Sequence, residues 1–411
     1  MSQPVSFVTR ADALLGSKEA AAVVKGIRHF NDVRDRVVAE ILQQSDSSLV
    51  VKSKSMVSEE IELNHHLEGV GVEVVETDLG EFIVQLAGDT PSHIIAPVLH
   101  MTRQDIGELF SEKLSVEYTD DPTELNEIAR AHLREIFLSA DAGISGVNMA
   151  IAETGSVVLV TNEGNGRLTT TAPRVHIALM GMERIVSSWE DATVVLEVLA
   201  RSATGQRLSV YTSVITGPRR EGDPDGPEES HVVVIDNGRS EILGGPTAEI
   251  LACIRCGACL NVCPIFQTVG GHAYGTVYSG PVGSIVTPGL HGMEPWWELP
   301  YASTMCGACE EVCPIRIQIP SMLLQLRERA ASEGRLPGWL NKGMSRYART
   351  TTDPQKWRRA TKWASRLSAP LASGGWLRRI PGPGRGWTKF RDLPRPASES
   401  FAEWWRTNRG S

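Results

Sequence analysis

The sequence predicts an α/β domain built on a mainly parallel sheet, then a small helical cysteine-rich domain, then a basic tryptophan-rich region. Three observations predict it. Over the first 240 or so residues, β-rich runs alternate with stretches of helical apolar spacing, the pattern of strands covered by helices. All seven cysteines fall in two short runs between positions 253 and 313. The last 80 or so residues carry seven of the ten tryptophans, interleaved with Arg and Lys. The expected boundaries are 1–240, 245–325 and 326–411.

The elements of the first domain follow from local pattern. Val33, Val37, Val38 and Ile41 recur at helical spacing over 32–43. Leu-Val-Val over 48–52 is a short strand, and 58–68 is helical with acidic residues where the helix dipole favours them. A strand is expected at 72–75, a helix or strand at 79–86, and a strand at 93–97 running into Val98, Leu99 and His100. A long amphipathic helix covers 124–139, strands follow at 156–160, 175–180, 209–215 and 231–236, and a helix lies at 189–200. Residues 217–230 form a polar loop rich in Pro and Gly, long for a connector and so suited to a partner.

The cysteine runs read Cys253-Ile-Arg-Cys256-Gly-Ala-Cys259-Leu-Asn-Val-Cys263-Pro264 and Cys306-Gly-Ala-Cys309-Glu-Glu-Val-Cys313-Pro314. This is the spacing by which bacterial ferredoxins hold two cubane iron–sulfur clusters. Thiolates three residues apart in a tight loop can wrap three corners of a cube, and Gly257 and Gly307 relieve crowding where the backbone folds close. The fourth cysteine of such a run, followed by proline, serves the other cluster. Cys253, Cys256 and Cys259 therefore hold cluster one with Cys313, and Cys306 and Cys309 hold cluster two with Cys263. Cluster two is one thiolate short, because the repeat would place its ligand at Ser303. A four-iron cube with a non-cysteine ligand is the favoured reading; a three-iron cluster and a single cluster remain open. Structural zinc suits an odd set of seven cysteines poorly. The glycine-rich stretch between the runs, Gly270 to Gly275 and Tyr278 to Gly283, can bring backbone N–H groups to cluster sulfurs.

No apolar run reaches the ~18 residues of a membrane span, and residues 1–16 lack a signal-peptide pattern, so a cytoplasmic protein is expected. The net charge of −8 hides an asymmetry: residues 321–411 hold 19 Lys and Arg against 6 Asp and Glu, and the remainder 22 against 43. Such a tail meets an acidic surface: its own first domain, a partner subunit, or the periphery of the inner membrane. Nucleic acid is not expected, because no recognition module accompanies the charge.

Several stretches carry a resemblance: Val51-Lys-Ser-Lys-Ser-Met56, Glu73-Val-Val-Glu-Thr-Asp-Leu-Gly-Glu81, Gly143-Ile-Ser-Gly-Val-Asn148, Asn162-Glu-Gly-Asn165, Asp236-Asn-Gly-Arg239, Gly270-Gly-His-Ala-Tyr-Gly275, Leu299-Pro-Tyr-Ala-Ser303 and Glu403-Trp-Trp405, with the first cysteine run. On these the chain resembles the lactate utilisation protein B family over nearly its whole length. The resemblance implies an N-terminal lactate-utilisation (LUD) domain of Rossmann-like fold, similar to CoA-transferases and sugar isomerases. It implies two [4Fe-4S] clusters on the seven cysteines. It also implies a role as the iron–sulfur electron-transfer subunit of a multi-protein system oxidising L-lactate to pyruvate. The implied partners are a cysteine-rich-domain protein, a second LUD-domain protein and an electron acceptor. In one departure, the stretch between Arg28 and Ser48 is much shorter than in the family, as though a helical segment were lost.

Within the first domain, Lys52, Ser53, Lys54 and Ser55 follow a strand, where ligands bind in open α/β sheets, and suit a carboxylate or phosphate. Glu153, Asn162 and Glu163 bracket a further strand; either glutamate could move a proton, and His100 is a weaker candidate. No GxGxxG follows the opening strands, so a nicotinamide site is not indicated. Two other functions fit these residues: an iron–sulfur subunit for another 2-hydroxy acid such as glycolate, and a redox-sensing protein that binds a small acid.

Overall fold

The computed structural model describes residues 34–409. Its centre is a five-stranded parallel sheet in the order β2-β1-β3-β6-β9, made of Leu49–Lys52 (β1), Glu73–Glu76 (β2), Ala142–Gly146 (β3), Val175–Gly181 (β6) and Glu229–Ile235 (β9). Alternate side chains serve opposite faces. Val50, Val74, Ile144 and Ile177 meet Val38, Leu42, Leu63 and Leu67 from the helices Arg34–Gln44 and Leu63–Gly69. Val51 and Val75 meet Phe82, Phe110, Leu125, Leu133 and Phe137 from helices Leu79–Ala87, Arg103–Leu114 and Pro122–Ser139.

A second sheet, in the order β7-β4-β5-β8, uses Met149–Ile151 (β4), Ser156–Thr161 (β5), Ile185–Val186 (β7) and Tyr211–Ile215 (β8). Its β4–β5 and β5–β8 pairs are antiparallel. Helix Trp189–Thr204 lies on it, with Ala192 packed against Met149, Ile151 and Val158. The mainly parallel sheet expected from the sequence is thus the larger of two.

Three local expectations change. Residues 93–97 are not a strand. The Nδ1 of His93 accepts from the N–H groups of Ile95 and Ala96, which curls the segment into a turn. The single helix expected over 58–68 is two, Met56–Glu60 and Leu63–Gly69, parted at Glu62, whose φ is +53°. Strand β3 and helix Arg103–Leu114 were not expected. In β3 the glycine is a packing requirement: a Cβ on Gly143 would lie 1.8 Å from the Thr169 carbonyl oxygen, in helix Asn165–Thr171. The shortened stretch from Arg28 lies partly outside the described residues.

Beyond β9 the chain forms short helices around the cysteines and then helix Ile319–Ser332. Residues 330–411 form a separate compact unit. It contains helices Gly338–Thr351, Pro354–Ser368 and Phe401–Asn408 and a small antiparallel ladder pairing Trp376–Leu377 with Leu393–Pro394. Its seven tryptophans are all exposed, Trp339 the most at 69%. No helix among the described residues is long and apolar enough to cross a membrane.

His176, the second residue of β6, is buried, and its Nε2 pairs with the Ser145 hydroxyl at 2.8 Å. Burial, helped by the charge of His231, pushes its imidazole down to about 4. The free imidazole of an unfolded chain protonates below about 6.5, so falling pH favours unfolding until the folded value is reached. Chemical denaturation between pH 7 and 4 should therefore show stability falling by about 3 kcal/mol through this residue. His176→Gln should flatten that part of the slope.

Candidate functional site

The two cysteine runs fold as an internal repeat. The residue before each Cys-Gly-Ala-Cys is left-handed, Arg255 at φ +60° and Met305 at φ +58°. The glycines are left-handed too, Gly257 at +74° and Gly307 at +86°, and each opens a short helix, Ala258–Asn261 and Ala308–Glu311. Gly257 is doubly required, since a Cβ would come within 3.0 Å of Ile95. The segment 92–97 therefore presses directly on the first cysteine loop, and His93 Nε2 reaches Asn261 Oδ1 at 3.2 Å.

Cys253, Cys256, Cys259 and Cys313 line one small cavity, closed by Ile94, Ile254, Val282, Ile317 and Ile319. Burial pushes the Cys256 and Cys259 thiols up, and the neighbouring cysteines of this set add to it. Cys309 is pushed up to about 11, first by burial and then by the charges of Cys263 and Cys306. Cys306 is the exposed member; N–H donation from Ala308 and the Thr304 hydroxyl hold its thiol below the ordinary range.

This donor set fits iron–sulfur clusters. Soft thiols converge, and thiols that burial keeps protonated give up their protons to a cationic core. Backbone N–H groups already reach sulfur, from Arg255 to Cys253 at 3.4 Å and from Val282 to Cys259. The phenol of Tyr274, in the glycine-rich stretch, is buried near Cys263 and Cys259 with no partner among the described residues. Ser303, in the eighth ligand position, has its hydroxyl accepting from the Met305 N–H at 3.1 Å. Arg327 grips the carbonyls of Pro300 and Ser303 at 2.9 and 3.0 Å.

Against the first loop lies a larger cavity of about 400 Å³. Its floor is the carboxyl ends of parallel strands: Ser53, Lys54 and Ser55 after β1, Asp78 after β2, Gly146 to Asn148 after β3, and Arg184 after β6. Leu159 to Glu163 and the helix residues Leu199, Ala200 and Ala203 form a second wall. Ile94, Ile254, Arg255 and Tyr278 form the third, and Ile94 and Ile254 also line the four-cysteine cavity.

The structure thus brings Ser53, Lys54, Ser55, Asn162 and Glu163 together and leaves out two residues expected with them. Lys52 is fully buried, its ammonium bonded to Ser58, Glu59 and Glu76 at 2.9, 2.8 and 2.7 Å. Burial alone would depress it, but the two carboxylates hold it well above its ordinary value, and its three protons are committed. Lys52 is a structural cation rather than an anion receptor. Glu153 sits in the turn after β4, away from the cavity walls. His100 pairs with Asp89 at 3.1 Å in an exposed cluster with His272. Lys54 is paired with Glu81 at 2.6 Å. Glu163 accepts from the Leu79 N–H, and burial with the charge of Asp78 raises its carboxyl.

Beside the cavity runs a buried charge network that the sequence reading missed. Arg239 is fully buried and forks onto Glu60 at 2.8 Å through both terminal nitrogens, while its Nε meets Glu183 at 2.6 Å. Tyr278 donates to Glu60 at 2.7 Å, and the Arg255 guanidinium stacks 4.7 Å over the Tyr278 ring. Arg184 donates to the Cys253 carbonyl at 2.9 Å. The sequence signals were Asp236-Asn-Gly-Arg239, which carries part of the resemblance, Tyr278 in the glycine-rich stretch, and an arginine inside the first cysteine loop.

Comparison with known families agrees with this arrangement. Residues 31–235 match the LUD domain, 249–317 the 4Fe-4S dicluster domain, and 337–409 the C-terminal domain of lactate utilisation protein B. Lactate utilization protein B of Bacillus licheniformis is 48% identical over 374 residues, covering 90% of this chain and 78% of that protein. The proteins of the same name from Shouchella clausii and Bacillus subtilis are 46% and 48% identical, covering 90% and 89% of this chain and 78% and 77% of theirs. A solved DUF162 family protein from Deinococcus radiodurans aligns with 51% of this chain and 97% of its own, at 14% identity and a TM-score of 0.23. With close to half of its residues identical to these relatives along nine-tenths of its length, the chain belongs to the lactate utilization protein B family.

Proposed function

We propose that this chain is the iron–sulfur electron-transfer subunit of a system that oxidises L-lactate to pyruvate and so allows growth on lactate. The observation that carries the reading is the common cavity of Cys253, Cys256, Cys259 and Cys313, which joins the two sequence runs at one point. In this reading those four hold one [4Fe-4S] cluster, and Cys263, Cys306 and Cys309 hold a second with three cysteine ligands. Bound clusters would supply reversible one-electron storage.

The chain's own residues do the rest. Val282 and Arg255 direct N–H groups at cysteine sulfur, Tyr274 holds a phenol in reserve as a further donor, and Ile94 and Ile254 keep water from the first set. The first domain, of the Rossmann-like type, supplies the adjoining cavity, with Glu163 as its protonatable carboxyl. The partners in this reading are a cysteine-rich-domain protein and a second LUD-domain protein, together with an electron acceptor. The basic, tryptophan-studded unit 330–411 suits an acidic protein surface, since exposed Trp and Arg are the side chains most enriched at interfaces.

Iron analysis and EPR of anaerobically purified protein test the ligand sets. About eight irons are expected per chain, two four-iron cubes. Cys256→Ser and Cys313→Ser should abolish one and the same EPR signal, and Cys263→Ser and Cys309→Ser the other. Zinc in place of iron, or Cys263→Ser silencing the signal of Cys256, overturns the assignment. Deleting the gene should abolish growth on L-lactate and spare growth on glycolate; the reverse pattern would reassign the substrate.

A further inference from the structure

Arg255 is the anomaly of the first cysteine loop. Its side chain is only 10% exposed, yet its Nε and Nη1 have no hydrogen-bond acceptor among the described residues. Its Nη2 is 3.9 Å from Glu183, too far for a hydrogen bond. A buried guanidinium with idle donors is costly unless something accepts from them. Arg255 also sits in a left-handed conformation that any residue with a Cβ disfavours. It lines the 400 Å³ cavity and is absent from the walls of the four-cysteine cavity.

Three buried guanidinium groups, Arg184, Arg239 and Arg255, share two buried carboxylates, Glu60 and Glu183. Glu60 is consumed by Arg239, which also takes one oxygen of Glu183. Cys253, a proposed cluster ligand, also acts on Arg184 and Arg255 by its charge, yet neither Nε nor Nη1 of Arg255 is bonded to it. The lining is aliphatic at Leu159, Leu199 and Ile254.

We infer that this cavity is a binding site for a small organic monocarboxylate, its carboxylate seated on Arg255 and its carbon skeleton on the aliphatic wall. One carboxylate would accept from the two idle Arg255 donors, a guanidinium is the side chain best suited to it, and Asp78 and Glu163 in the same lining disfavour a second acid group. The volume exceeds a three-carbon acid, so acids with longer apolar chains also fit. The site deepens the proposed function: a bound acid would lie one side chain, Ile94 or Ile254, from the first thiol set.

Calorimetry on the anaerobic, iron-loaded full chain tests this with pyruvate, 4-methyl-2-oxopentanoate and inorganic phosphate as probes. At least one of the two acids should bind, and Arg255→Gln should weaken it roughly ten- to hundredfold, the loss expected for a hydrogen bond to a charged group. Thr204→Phe, which adds bulk to the cavity lining at the end of helix Trp189–Thr204, outside the cluster of Leu199, Cys256 and Ala258, should abolish acid binding with the iron content unchanged. Binding of neither acid, binding of phosphate alone, or acid binding indifferent to both variants overturns the inference. Iron content and EPR are read on the same samples. A colourless protein that still binds acid would sink the electron-transfer reading and leave this site standing.

Discussion

The fork of Arg239 onto Glu60 is the contact on which the rest of the site depends. Glu60 closes helix Met56–Glu60 behind β1, Arg239 opens the segment after β9, and Glu183 follows β6. One guanidinium therefore ties three carboxyl ends of the parallel sheet together. Burial by itself would raise the Glu60 carboxyl, but the Arg239 charge reverses this and holds it below the ordinary carboxylate range. Such a buried pair adds little net stability over a well-packed apolar pair, yet removing one partner strands the other at a cost of about 3–5 kcal/mol. Its value here is positional. Tyr278, from the glycine-rich stretch between the cysteine runs, completes the Glu60 coordination, and the ring of Tyr278 carries Arg255. The charge that orders the sheet also orders the first cysteine loop.

That linkage explains why the first domain and the cysteine region pack as one unit. The contacts are close and specific: Gly271 would put a Cβ within 1.7 Å of the Ser92 carbonyl oxygen, and Gly257 allows Ile95 and His93 against the loop. His93 stays neutral, because burial lowers its imidazole, and in that state its Nδ1 can accept the two N–H groups that shape the turn. The glycines of 270–283 thus serve close packing, while the N–H directed at sulfur from this stretch is that of Val282.

Much of this was legible in the sequence because the signals were local. Cysteine spacing needs no tertiary knowledge, and a helix such as Trp189–Thr204 shows in its own local pattern. What escaped depends on pairing across the sheet. Lys52 looked like an anion receptor from its neighbours, Ser53 and Lys54. Only the parallel register that sets Lys52 beside Glu76 shows its charge already spent. Strand β3 escaped because close approach to helix Asn165–Thr171 demanded glycine where a strand signal would want a branched side chain. Arg255 escaped because the intervening positions of a cysteine loop carry no pattern; its meaning comes from Glu183 and Tyr278, both distant in sequence.

The internal repeat is symmetric in backbone and asymmetric in surroundings, and the asymmetry has a direction. Arg255 and Met305 share a conformation, as do Gly257 and Gly307, but only the first loop faces the cavity of the α/β domain. Cys256 is buried there, whereas its counterpart Cys306 is exposed. Where the first loop has Cys253, whose carbonyl is held by Arg184, the second has Ser303, whose carbonyl is held by Arg327. A relay needs one end shielded beside its donor and the other open to an acceptor. With the proposed ligand sets, the arrangement runs from the arginine-lined cavity, past Ile94 and Ile254, to a first thiol set with no exposed member and then to a second that reaches the surface at Cys306. The same duplicated loop can serve both ends because its backbone is fixed by left-handed residues and glycine, while its environment is set by what packs against it.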